Sequence, residues 1–82
     1  MPEISRFLGI IILMYFDEHD PPHFHVRYNE YRASISISDL NIIVGYLPAK
    51  VRGLVQEWAE IHKDELLHIW NTGEFRKIAP LV

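Results

Sequence analysis

The chain has 82 residues, 49% of them hydrophobic and 23% charged, with no cysteine and a formal net charge of −3. Such a length leaves room for one hydrophobic core, so residues 1–82 are read as a single domain, and the absence of cysteine excludes a disulfide framework and points to a reducing, cytoplasmic setting. The acidic balance excludes a global field toward phosphate backbones or anionic membranes, leaving any nucleic-acid contact to a local patch.

Ser5 to Phe16 reads as one strand. Alternation places Ile10, Ile12, Met14 and Phe16 on one face and Ile11, Leu13 and Tyr15 on the other, so both faces are apolar and want cover. For a chain this small, which buries only about 60% of its unfolded surface, covering that strand with a second copy or a cognate partner is the expected source of extra stability. The apolar run from Leu8 to Phe16 is far short of the roughly 20 residues a membrane span needs, and Asp17, Glu18 and Asp20 follow it at once. Met1-Pro2-Glu3-Ile4-Ser5-Arg6 lacks the basic start of an export signal, and no cleavage site follows. Two prolines and three acids make Asp17–Pro22 a connecting loop.

A hairpin comes next. In His23–Tyr28 the apolar set is Phe24, Val26 and Tyr28, while His23, His25 and Arg27 face the other way. In Tyr31–Ser38 the apolar set is Tyr31, Ala33, Ile35 and Ile37, against Arg32, Ser34, Ser36 and Ser38. A two-residue turn at Asn29-Glu30, with asparagine supplying a positive φ, sets Tyr28 opposite Tyr31, Val26 opposite Ala33 and Phe24 opposite Ile35. His25 then faces Ser34, His23 faces Ser36 and Arg27 faces Arg32. Phe24, Val26, Ile35 and Ile37 are expected beneath a helix, and His23, His25, Ser34 and Ser36 on the opposite, more accessible face.

After a loop at Asp39–Asn41, Ile42–Leu47 reads as a fourth strand, weakened at Gly45. Pro48 then opens a helix. Val51, Leu54, Val55, Trp58, His62, Leu66 and Ile69 form one stripe, which predicts a continuous helix to about Thr72 with Gly73 just past its end. The fold class is therefore α+β, a small four-stranded antiparallel sheet (ββββα) with one long C-terminal amphipathic helix packed on one face.

Several segments carry a family resemblance: Ile4-Ser5-Arg6-Phe7, Gly9-Ile10, Met14-Tyr15-Phe16, and the run from His19 to Val26 with its His-x-Pro-Pro-His-x-His core. Glu57-Trp58-Ala59-Glu60, His62, Glu65-Leu66-Leu67 and Trp70 extend it into the helix. Together they resemble the bacterial domain of unknown function family 4160 over nearly the whole chain. The resemblance implies a partner, since members are often encoded beside another short protein, an arrangement that points to a toxin–antitoxin pair. The family often has a basic or polar residue where this chain has Leu13.

The histidines admit three readings. Imidazoles two residues apart on a strand share a face with about 7 Å between their Cα atoms, and His19 reaching back from the loop makes a three-histidine site for a divalent transition metal such as zinc, with an open fourth position. Without an ion, His23, His25 and Arg27 are candidate catalytic residues for cleaving RNA, with Arg27, Arg32, Ser34 and Ser36 holding phosphate or a partner. In the third reading the histidine face or an uncovered sheet edge docks another protein. The reading adopted is a partner-binding component of a toxin–antitoxin-like pair, acting through the His/Arg/Ser face with a small neighbouring gene product, or as a homodimer. Metal binding and metal-independent RNA cleavage are its alternatives. His62 lies on the apolar stripe and reads as a packed helix residue, His68 as solvated, and Trp58 and Trp70 as core or interface anchors.

Overall fold

The computed structural model describes residues 3–15 and 17–82, arranged as a five-stranded antiparallel sheet followed by two helices. In place of the single strand expected from Ser5 to Phe16 there are two, β1 (Glu3–Phe7) and β2 (Ile10–Leu13), paired across a two-residue turn. Leu8 and Gly9 have φ of 51° and 78°, the pair of positive values that a type I′ hairpin turn demands. Folding back pairs the strand's edges, and its second apolar face is withdrawn from water as well, Leu13 being buried there. It makes β2 an interior strand between β1 and β3 and leaves Leu8, at the turn, 60% exposed. From Ile10 the expected alternation holds: Ile10, Ile12 and Met14 are buried in the core, and Ile11 and Tyr15 are half-buried on the other side. Phe16, like Met1 and Pro2, lies outside the described residues.

The strands run in the order β1-β2-β3-β4-β5. β3 (His23–Tyr28) and β4 (Tyr31–Ser36) pair in the register that alternation dictates, from His23 opposite Ser36 through His25 opposite Ser34 to Arg27 opposite Arg32, and Asn29 turns the chain at φ 53°. β5 (Ile42–Gly45) forms the far edge, shorter than the Ile42–Leu47 strand expected. Gly45 sits at φ 95°, and a Cβ there would lie 2.1 Å from the Arg32 carbonyl oxygen, so only glycine permits this approach.

The predicted single helix is two: α1 (Ala49–Ile61) and α2 (Lys63–Thr72). His62 leaves helical geometry at φ −109° and ψ 20°, although its N–H still donates to Trp58 O at 3.2 Å and its carbonyl accepts from Leu66 at 3.0 Å. A side-chain bond from His62 Nδ1 to Glu65 Oε1, 2.5 Å, holds the bend. The apolar stripe continues through it, with Val51, Val55, Trp58, Leu66 and Ile69 buried. Gly73 ends α2 in the left-handed conformation, its N–H donating to Ile69 O at 2.8 Å.

One face of the sheet and the helices make the core. Phe24, Val26, Ile35 and Ile37 are buried as expected, with the Trp58 ring 6.0 Å from both Phe7, at a tilt, and Phe24, edge-on. Residues 73–82 have no regular structure yet complete this core: Ile78 is buried and donates its N–H to Ile4 O at 2.7 Å, and Trp58 Nε1 donates to Ala79 O at 2.8 Å. No described helix is long and apolar enough to cross a membrane.

The other face differs from expectation in its accessibility. Ser34 and Ser36 are buried, at 9% and 7%, and His23 and His25 are half-buried. The segment after β2 folds over them, bringing Tyr15 edge-on to His25 at 4.7 Å, and Trp70 of α2 lies 5.2 Å from His23. β2 being interior removes the expectation of an uncovered apolar first strand; Ile43, Val44 and Tyr46, on and just after β5, are instead 48%, 63% and 62% exposed.

Candidate functional site

His23 and His25 project from the same face of β3 because strand residues two apart must, and their rings meet edge-on at 5.1 Å. Glu18 comes to them from the loop after β2. Its Oε1 contacts His25 Nε2 directly and lies 3.3 Å from His23 Nε2. Two imidazoles thus converge on one carboxylate oxygen, and among the described residues Glu18, His23 and His25 form a group whose ligating atoms lie within 4.8 Å of one another.

The far nitrogens are held as well. His23 Nδ1 donates to the Pro21 carbonyl at 2.8 Å, and His25 Nδ1 hydrogen-bonds Ser34 Oγ at 3.2 Å. A carbonyl can only accept, so the proton of His23 sits on Nδ1. In neutral His23 the Nε2 therefore presents a lone pair to a carboxylate oxygen, and two acceptors face each other unless a proton or a metal ion stands between them. Ser34, whose hydroxyl donates or accepts, suits His25 in either state.

Partial burial opposes the charged form of Glu18, yet the hydrogen bond from His25 and the attraction of both imidazoles outweigh it and hold the carboxyl below its ordinary value. The side chains of His23, His25 and Glu18 are 12%, 26% and 27% exposed, so the group is sheltered but reachable. Beside it, between the loop and the end of α2, opens a cleft of about 510 Å³ lined by Tyr15, Glu18, His19 and Trp70 among others.

Of the three histidines expected to act together, the fold unites two. His19 is exposed and outside the converging group, although it lines the same cleft. Its neighbour Glu18 takes the third position: adjacent residues of an irregular loop point in different directions, and Asp17, at φ 56°, turns the chain just before them. The acids of Asp17–Pro22 marked a loop in the sequence, whereas a carboxylate close in sequence to His-x-His is itself a ligand signal. Tyr15 and Trp70, which wall the imidazoles, carry no such signal, because nothing in a sequence brings residue 70 to residue 23. Arg27 is half-buried and Arg32 exposed, directly opposite each other, and neither forms an ion pair among the described residues. Ser36 bonds Ser38 at 3.0 Å instead of turning to the histidines. His62 contacts Trp58 at 5.4 Å as a packed helix residue, and His68 is exposed beside Glu74.

A family model described as a domain of unknown function (DUF4160) matches residues 9–71, more than half of the chain. No curated protein and no solved structure matches. The chain belongs to the DUF4160 family.

Proposed function

We propose that this DUF4160 member is a metal-binding domain whose site is Glu18, His23 and His25. The observation that carries the reading is the convergence of two Nε2 atoms on one carboxylate oxygen while the outer nitrogen of each ring is engaged by a backbone carbonyl or a hydroxyl. Outward bonds of that kind fix the tautomer and raise ligand basicity in metal sites. Two imidazoles and a carboxylate suit zinc and its divalent neighbours, and three protein ligands leave a position open for water or substrate. Ligand atoms around tetrahedral zinc stand about 3.4 Å apart, given bonds of about 2.0–2.1 Å. His23 and Glu18 already have that separation, at 3.3 Å, and the three ligating atoms all lie within 4.8 Å of one another.

The test is thermal denaturation of the full chain with zinc, nickel or cobalt. Binding to the folded state alone contributes about 2.7 kcal/mol at a hundredfold excess over Kd, so Tm should rise. Glu18→Ala, His23→Ala and His25→Ala should each lose the rise, and His19→Ala should keep it. No rise in wild type, or loss in His19→Ala alone, overturns the reading.

A second reading, one half of a toxin–antitoxin-like pair, draws on a different observation. β5 is an unpaired edge with Ile43 and Val44 exposed and Tyr46 exposed just beyond it. An extended apolar segment of a small cognate protein, added as a sixth strand, satisfies the free backbone groups and buries these side chains. Sedimentation of the chain mixed with its neighbouring gene product should show a complex that Val44→Glu abolishes. Two unchanged free species overturn this reading, and self-association of the chain alone assigns the edge to a homodimer.

A further inference from the structure

Arg27 and Arg32 are left over by every contact described so far. They stand directly opposite each other on β3 and β4, where like charges repel, and no carboxylate among the described residues relieves them. Arg27 is also half-buried, which raises the cost of leaving its charge without a counter-ion. Elsewhere the sheet manages its charges, as where Arg6 and Glu3 on β1 pair at 2.7 Å. The two guanidiniums border a cleft of about 380 Å³, within the range of small-molecule sites, whose lining includes Tyr15, His25, Ser34 and Val44. Arg27 follows His25 by two residues on the same face, so the charged end of the cleft adjoins the Glu18/His23/His25 group.

We propose that this cleft binds the phosphate group of a small organic phosphate monoester, gripped by Arg27 and Arg32. Two planar forks supply the two positive charges a monoester dianion requires, in a geometry suited to its oxygens. Tyr15 and Val44 offer an apolar wall for the organic part. A net charge of −3 disfavours a long polyanion, whereas a dianion is neutralised locally. His25 and its hydrogen-bonded partner Ser34 line the same cleft, so its wall is shared with the Glu18/His23/His25 group. The arginine grip stands on its own observation, independent of whether the ion is present.

The experiment is calorimetric titration of the full chain, metal-free and zinc-loaded, with phenyl phosphate, inorganic phosphate and a short unphosphorylated RNA oligonucleotide. Phenyl phosphate and phosphate should bind in both forms. Arg27→Gln and Arg32→Gln should each weaken binding about tenfold or more with the zinc-induced Tm rise intact, and Arg27→Lys should retain part of the affinity, showing that charge rather than folding was lost. Absence of phosphate binding, or affinity unchanged in both glutamine variants, overturns the inference while leaving the metal reading standing. Oligonucleotide binding without any response to the monoesters also overturns it. Phosphate binding that fails with the arginines in a chain that takes up no zinc supports this inference and defeats only the metal reading.

Discussion

The two faces of the sheet are built on opposite principles. Under the helices, Phe24, Val26, Ile35 and Ile37 share one apolar core with Trp58, and nothing polar is asked of them. On the other face the same strands carry His23, His25, Arg27, Arg32, Ser34 and Ser36, where each buried polar atom has to find a partner. The first face is stabilised by area removed from water and tolerates little loss of volume; the second is arranged by directional bonds, at some cost in burial. Strands alternating every two residues can serve both because one face's side chains do not touch the other's. The comparison separates stability from chemistry, which makes it testable.

The largest expected effect lies on the packed face. Phe24→Ala should lower the unfolding free energy by about 3–5 kcal/mol, read from denaturant titration, a loss large enough that a domain of this size barely folds. Phe24→Leu, which keeps most of the volume, provides a measurable intermediate. Ser34→Ala, one pair nearer the turn and on the other face, should cost about 1 kcal/mol in stability while weakening metal affinity about tenfold, because the outer nitrogen of His25 loses its partner. Equal destabilisation by Phe24→Ala and Ser34→Ala would erase the distinction between the faces.

A histidine elsewhere sharpens the contrast. His62 also bonds a carboxylate, but Glu65 is only three residues away, and among the described residues no third metal-ligating side chain joins them. His62→Ala should cost about 1 kcal/mol or less by thermal denaturation and leave the metal response unchanged. Glu18 contributes the smallest effect, through pH. Its carboxyl is held below the ordinary value in the folded chain, so it stabilises above the unfolded pKa of about 4.3 and loses that contribution as pH falls through the folded value. Metal-free wild type should therefore exceed Glu18→Gln in stability at pH 6, by under about 1 kcal/mol given solvent screening, and the two curves should meet in strong acid.

Read alone, the sequence determined whatever depends on local period. Alternation in His23–Tyr28 and Tyr31–Ser36 fixes which residues face the core, and a two-residue turn at Asn29 then allows a single register, which the structure has throughout. The stripe from Val51 to Ile69 likewise names the buried helix face, although it is silent about the bend at His62, where the contact with Glu65 and a non-helical backbone leave the stripe unbroken. Gly9 was the legible sign of a turn inside the first apolar run, but Phe7 and Leu8 before it and the β-branched Ile10-Ile11-Ile12 after it favour an extended reading until pairing with β1 is considered. Tertiary structure alone decided the third member of the His23/His25 group. Loops have no period, so neither composition nor spacing says that Glu18 rather than His19 turns toward β3. The same holds for Trp70 beside His23 and for residues 73–82 returning to β1, contacts between distant stretches that exist only once the sheet and helices have packed.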